Sequence, residues 1–236
     1  MKKRASFLDL LEELRWRILT SLMTIGIFSI VAWFFTKPLL DFLTQPLVRL
    51  AGSELYFNAP YEAFLVHLKV ALLTGLLAGS PVFFAQLWLF VAPGLHRRER
   101  QIIFPLTLIS VFLFLLGAAF AFWIVVPASL QFLLNFQTES MKPLLGIGPY
   151  FSLLIGMILA GGILFDLPVV VLGLVRAGVL GAEGLRRTQK EVIVGIFILA
   201  AILTPSPDPL GQLLLALPLV LLYEVSLRIA KWVEKK

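Results

Sequence analysis

A chain of 236 residues that is 59% hydrophobic and only 14% charged has more apolar surface than one soluble domain can hide, so its composition excludes a water-soluble globular protein. The net charge of +6 is divided among short segments beside apolar runs, which reads as a topology signal and not as a nucleic-acid footprint. With no cysteine there is no disulfide and no thiol chemistry, and the two histidines, His67 and His96, cannot build a metal site by themselves.

A membrane helix needs roughly 20 mostly apolar residues to cross a hydrocarbon core about 30 Å thick. The first uncharged run is Ile18 to Phe35; it follows a charged segment, lacks a small-residue cleavage pattern and is longer than a signal peptide's apolar core, so it reads as a retained span. Val70 to Leu95 gives a second span, and Gln101 to Thr138 a third that is longer than one crossing requires, with Pro127 expected to end the helix. A fourth runs from Phe151 to Val175, interrupted only by Asp166. The last two runs, Val192 to Pro207 and Pro209 to Tyr223, are separated by Asp208 within Thr-Pro-Ser-Pro-Asp-Pro, and read as a tight hairpin of two short spans. The expected architecture is therefore all-α: a single polytopic membrane domain over residues 1–236, with six transmembrane helices at about 17–36, 64–92, 101–127, 151–175, 191–205 and 210–228.

Six spans put both termini on one side, and the basic residues say which. Lys2, Lys3, Arg4, Arg15 and Arg17 precede the first span, Arg97, Arg98 and Arg100 follow the second, Arg176, Arg186, Arg187 and Lys190 lie between the fourth and fifth, and Arg228, Lys231, Lys235 and Lys236 close the chain. Against these, Lys37, Arg49 and Lys142 fall on the other face, so the basic face and both termini are expected to be cytoplasmic. Lys69 lies near the outer end of the second span, where its long stem lets the ammonium reach the interface.

No catalytic motif accompanies this scaffold: there is no Gly-x-Ser-x-Gly, no phosphate-binding glycine loop and no His-Glu-x-x-His, and neither an enzyme nor a cofactor is expected. The informative polar residues are those in costly positions. Asp166 in Ile-Leu-Phe-Asp-Leu-Pro sits inside an apolar run, where a carboxylate costs about 2.5–3.5 kcal/mol at the helix centre. Two roles are open to it: a polar spot on a hydrophobic groove, or a hydrogen bond to backbone that Pro168 has freed. Glu13, in Leu-Leu-Glu-Glu-Leu-Arg-Trp-Arg, and Glu99, in His-Arg-Arg-Glu-Arg, both fall at the cytoplasmic membrane border among arginines. Each acid can balance the charge of a neighbour, or the two can converge on a cationic ligand.

Several short motifs in order resemble the TatC family, the multispanning subunit of the twin-arginine protein translocase. They are Leu10 to Arg17; Gln-Pro-Leu at Gln45 to Leu47; Ser-Pro-Val-x-x-x-Gln-x-Trp-x-Phe-x-Ala-Pro-x-Leu at Ser80 to Leu95; Glu99-Arg100; Phe-x-x-Pro-Val at Phe165 to Val169; Leu-Thr-Pro at Leu203 to Pro205; and the run Gln212 to Glu224. The resemblance covers Leu10 to Arg228. It implies a receptor in the bacterial or archaeal cytoplasmic membrane that recognises signal peptides with paired arginines and supports export of folded proteins driven by the proton-motive force. Carried over by position, Glu13 and Glu99 match the family's acids for the arginine pair, with Arg15, Arg17, Arg100, Gln86 and Phe90 around them. Asp166 and Gln212 match polar residues facing partners within the membrane, and Pro46, Pro93 and Asp208 match positions around the site or of the outer cap and hairpin.

The implied partners are single-span TatA-like and TatB-like subunits, precursors with twin-arginine signals, the lipid bilayer and further copies of the chain, with no nucleic acid. Two departures stand out: Asp166 replaces the family's usual glutamate with a side chain one methylene shorter, and His96-Arg97-Arg98 differs from the commoner loop. The competing class is an ion-coupled secondary transporter, although no similarity links the first three spans to the last three.

Overall fold

A computed structural model describes residues 7–51, 55–57, 59–91, 103–136, 144–176, 189–204 and 208–234. Among these the chain is helical, apart from one isolated parallel bridge between Tyr56 and Gly146. The helices are α1 (Phe7–Trp33), α2 (Thr36–Ala51), α3 (Pro60–Val91), α4 (Ile103–Phe120), a π turn (Ala121–Val125), α5 (Val126–Leu134), α6 (Ile147–Arg176), α7 (Gln189–Leu203) and α8 (Pro209–Glu234). Five helical stretches are long and apolar enough to cross a membrane: Leu11–Trp33, Pro60–Val91, Ile103–Leu134, Ile147–Gly173 and Pro209–Arg228.

Two expectations change. The third apolar helix does not end at Pro127. Val126 N–H reaches back five residues to the Ala121 carbonyl, and the helix resumes with Pro127 in the first turn of α5. Nor is the last helix short. Its apolar stretch is 20 residues long, and α8 runs on past Glu224 and Arg228, because charges mark the edge of a membrane without breaking a helix. Among the described residues α7 covers 15, about 22 Å, which is less than a full crossing.

Prolines inside membrane helices need their freed carbonyls satisfied, and α3 does this locally. Pro81 has no N–H for the Leu77 carbonyl, and the Ser80 hydroxyl donates to that oxygen at 2.7 Å instead. The ordering of the bundle follows from close approaches at small residues. α1 lies antiparallel along α3, and Gly75 is pressed so closely against Ser29 and the Ile25 carbonyl that a Cβ there would collide with both. α4 and α6 meet backbone to backbone where Gly117 faces Gly161. The main core gathers Val66, Val70, Val125, Phe151, Leu154, Met157, Leu164, Leu215 and Leu219 around α6, its most enclosed helix.

α2 is the amphipathic member. It places Leu43 and Leu47 inward and leaves Lys37, Asp41 and Arg49 exposed, lying at the end of the bundle where α1 finishes and α3 begins. The Tyr150 hydroxyl donates to the Leu43 carbonyl at 2.6 Å, and the Tyr56 backbone bonds to Leu145 and Ile147, so this cap is fastened to α6.

Candidate functional site

The opposite end of the bundle, where α1 begins and α3 finishes, carries the acid at Glu13. One helical turn later, Arg17 turns back on it. Nε donates to Glu13 Oε1 at 3.1 Å and Nη2 donates to the same oxygen. The third nitrogen, Nη1, donates at 3.2 Å to Gln86 Oε1 on α3. Arg17 thus bridges two helices, and it remains 20% exposed while Glu13 is 36% exposed. An i,i+4 acid-then-base pair has the favourable helical order, but at this exposure water screens it and its strength is modest.

This bridge stands between two grooves. One has a volume of about 810 Å³ and runs from Glu13 and Arg17 over Pro81, Ala85 and Leu89 of α3 to Phe104, Thr107 and Leu108 of α4. The other, of about 170 Å³, lies along α1 and α3 and is lined by Ile18, Leu22, Phe83, Gln86 and Phe90 as well as by Arg17. Its larger neighbour is a charged mouth continuing into an apolar trough, an arrangement suited to an extended or helical segment with a cationic head and a hydrophobic tail.

The remaining predicted residues divide by location. Gln86 accepts from Arg17, and Phe90 lines the smaller groove together with both. Arg15 points to the exposed side of α1 and forms no ion pair with the described residues. Glu99, Arg100 and Pro93 lie outside the described residues. Pro46 is half-buried within α2, at the far end of the molecule from Glu13.

Asp208 and Gln212 both work inside the fold. The Asp208 carboxylate accepts the Gly211 N–H at 2.7 Å, which makes it the N-cap of α8, and it is buried in that role. Gln212 Nε2 donates at 3.1 Å to the Phe197 carbonyl of α7, joining the last two helices.

Asp166 is buried on α6. It lies beside the Ser110 hydroxyl of α4. Ser110 in turn accepts from Trp88 Nε1 at 2.9 Å, so a buried polar chain links α3, α4 and α6. Asp166 Oδ1 has no hydrogen-bond partner among the described residues. Sequence reading found the acid but not its partners, because Trp88, Ser110 and Asp166 belong to three different apolar runs. The same holds for Arg17 and Gln86, 69 residues apart.

The chain matches the family model described as "Sec-independent protein translocase protein (TatC)" over residues 9–218. It is 36% identical over 237 residues to the Sec-independent protein translocase protein TatC of Desulforapulum autotrophicum, covering 100% of this chain and 87% of the relative. It is 39% identical to that of Carboxydothermus hydrogenoformans, covering 99% of this chain and 96% of the relative. A crystal structure of the twin arginine translocase receptor TatC in DDM superimposes with a TM-score of 0.83 at 36% identity, covering 94% of this chain and 99% of that one.

Proposed function

Because this chain belongs to the TatC family, we propose that it is the signal-receptor subunit of a twin-arginine translocase, binding the paired arginines of precursor signal peptides through Glu13 and Glu99. The observation that carries this reading is the position of the Glu13 carboxylate at the mouth of the 810 Å³ apolar groove. A guanidinium is planar and permanently charged, so a carboxylate at the membrane border recognises it by paired charge-assisted hydrogen bonds that a lysine ammonium cannot reproduce. The trough beyond it offers Pro81, Ala85, Leu89 and Leu108 to the apolar stretch of the signal.

In this reading the protein is a non-catalytic subunit of the bacterial or archaeal cytoplasmic membrane with six spans and both termini in the cytoplasm, α7 being the sixth span beside the five longer ones. It acts with TatA-like and TatB-like helices and with further copies of itself, and export draws on the proton-motive force. Asp166 and Gln212 are the membrane-depth polar residues this reading assigns to partner contacts, and Pro46 and Asp208 belong to the outer cap. The described stretch of α7, about 22 Å, falls short of a hydrocarbon core of about 30 Å and thins the bilayer beside it, at fractions of a kcal/mol per Å. Inserting four leucines after Val192 therefore lowers export severalfold while insertion in the membrane persists. Unchanged export in a precursor-processing assay removes the thinning role.

Photocrosslinking tests the receptor reading. A benzophenone side chain in place of Phe104, which is 78% exposed in the groove, captures the apolar stretch of a paired-arginine peptide; the same probe at Val194 of α7 does not. Equal labelling from Phe104 by a peptide whose two arginines are lysines contradicts it.

A further inference from the structure

Glu13 is not waiting empty for a ligand. Its carboxylate already holds a guanidinium, that of Arg17, through two donors on Oε1. Among the described residues, Arg17 is also the one side chain that lines both grooves. Its guanidinium has a second acceptor, Gln86 Oε1, on the neighbouring helix, so it can leave Glu13 without losing every partner.

From this arrangement we propose that Arg17 is a built-in competitor for the signal arginine: it occupies Glu13 in the resting protein, swings onto Gln86 when an incoming guanidinium arrives, and so sets the selectivity of the site. The inference rests on the receptor reading above. A paired guanidinium–carboxylate contact needs both oxygens of Glu13, and only a ligand that can form it compensates for the displaced Arg17 bonds. An ammonium binds as a point charge with no fork to replace them, and if Arg17 stays in place it meets a like charge a few ångströms away. Arg17 therefore excludes isolated cations and lysine-bearing peptides at the expense of some affinity for the correct ligand, a specificity obtained by repulsion as well as attraction. This differs from a positioning role, in which Arg17 would hold Glu13 ready and its loss would weaken binding.

The two roles predict opposite signs. In Arg17→Gln the paired-arginine peptide binds roughly two- to fivefold more tightly, a gain of about 0.4–1 kcal/mol, as expected when an exposed ion pair no longer has to be broken. The paired-lysine peptide gains more, so the ratio of the two affinities shrinks. Arg17→Lys, which keeps the charge and the helical pairing, gives a smaller change in the same direction and guards against a folding artefact in the first variant. Fluorescence anisotropy with both peptides on the full chain in nanodiscs reads all of these. Equal or weaker binding of the paired-arginine peptide by both variants overturns the competitor role. If the wild type and Glu13→Gln bind that peptide equally, the receptor reading itself fails, whatever Arg17 does.

Discussion

Lysine at both Glu13 and Glu99 abolishes capture of paired-arginine peptides. A hydrogen bond to a charged group contributes about 1.5–3 kcal/mol, so removing two such acceptors weakens binding about a hundredfold or more, and reversing their charge adds repulsion. Anisotropy titration of a labelled peptide into the double variant in nanodiscs gives the number, and export of a precursor in membrane vesicles falls with it. The variant remains folded, because Glu13 is partly exposed and its pairing with Arg17 contributes little to stability. A thermal midpoint close to that of the wild type separates lost binding from lost structure. An affinity within about threefold of wild type would place the arginine site elsewhere.

The largest effect on stability is expected far from this site, at Gly161. A Cβ there would lie 2.6 Å from the Gly117 carbonyl and 2.7 Å from the Ala121 Cβ. Backbone cannot rotate aside as a flexible side chain can, so Gly161→Leu forces α4 and α6 apart, with an overpacking cost of about 1–3 kcal/mol or more. The separation reaches the polar chain as well, since Ser110 and Asp166 are on those two helices. A fall of several degrees in the detergent melting midpoint, together with a change in Trp88 emission as its bond to Ser110 loosens, is the expected signature. Gly26 is the control. Nothing lies within 4 Å of its would-be Cβ, and Gly26→Leu does not lower the midpoint. Equal effects at the two positions would show that the helices do not meet as closely as described.

Much of this organisation is legible in the sequence because membrane crossing imposes its own arithmetic. Uncharged runs near Ile18, Val70, Gln101 and Phe151 become α1, α3, α4 with α5, and α6. Local punctuation is a poorer guide than run length. Pro127 signals a helix end by rule, yet a π turn absorbs it, and the charges after Tyr223 close an apolar run without closing a helix. Asp208 looks like a lone acid in a proline-rich break; in space it caps α8. Of the candidate site, the residue types and their order were visible, whereas the Arg17–Gln86 tie and the Trp88–Ser110–Asp166 chain were not. Each joins apolar runs whose relative rotation no periodicity encodes, since a helix apolar on nearly every face does not announce which face meets protein and which meets lipid.

Choice between arginine and lysine tests the central claim most directly. Two peptides identical except for Arg-Arg or Lys-Lys are titrated against the wild type and Glu13→Gln in nanodiscs at fixed salt. The paired-arginine peptide should bind the wild type about tenfold more tightly, corresponding to about 1.4 kcal/mol for a forked over a point contact, and most of that preference should vanish in Glu13→Gln. Equal affinities for the two peptides in the wild type, or a preference that survives intact without the Glu13 carboxylate, would contradict the assignment of this groove as the twin-arginine site.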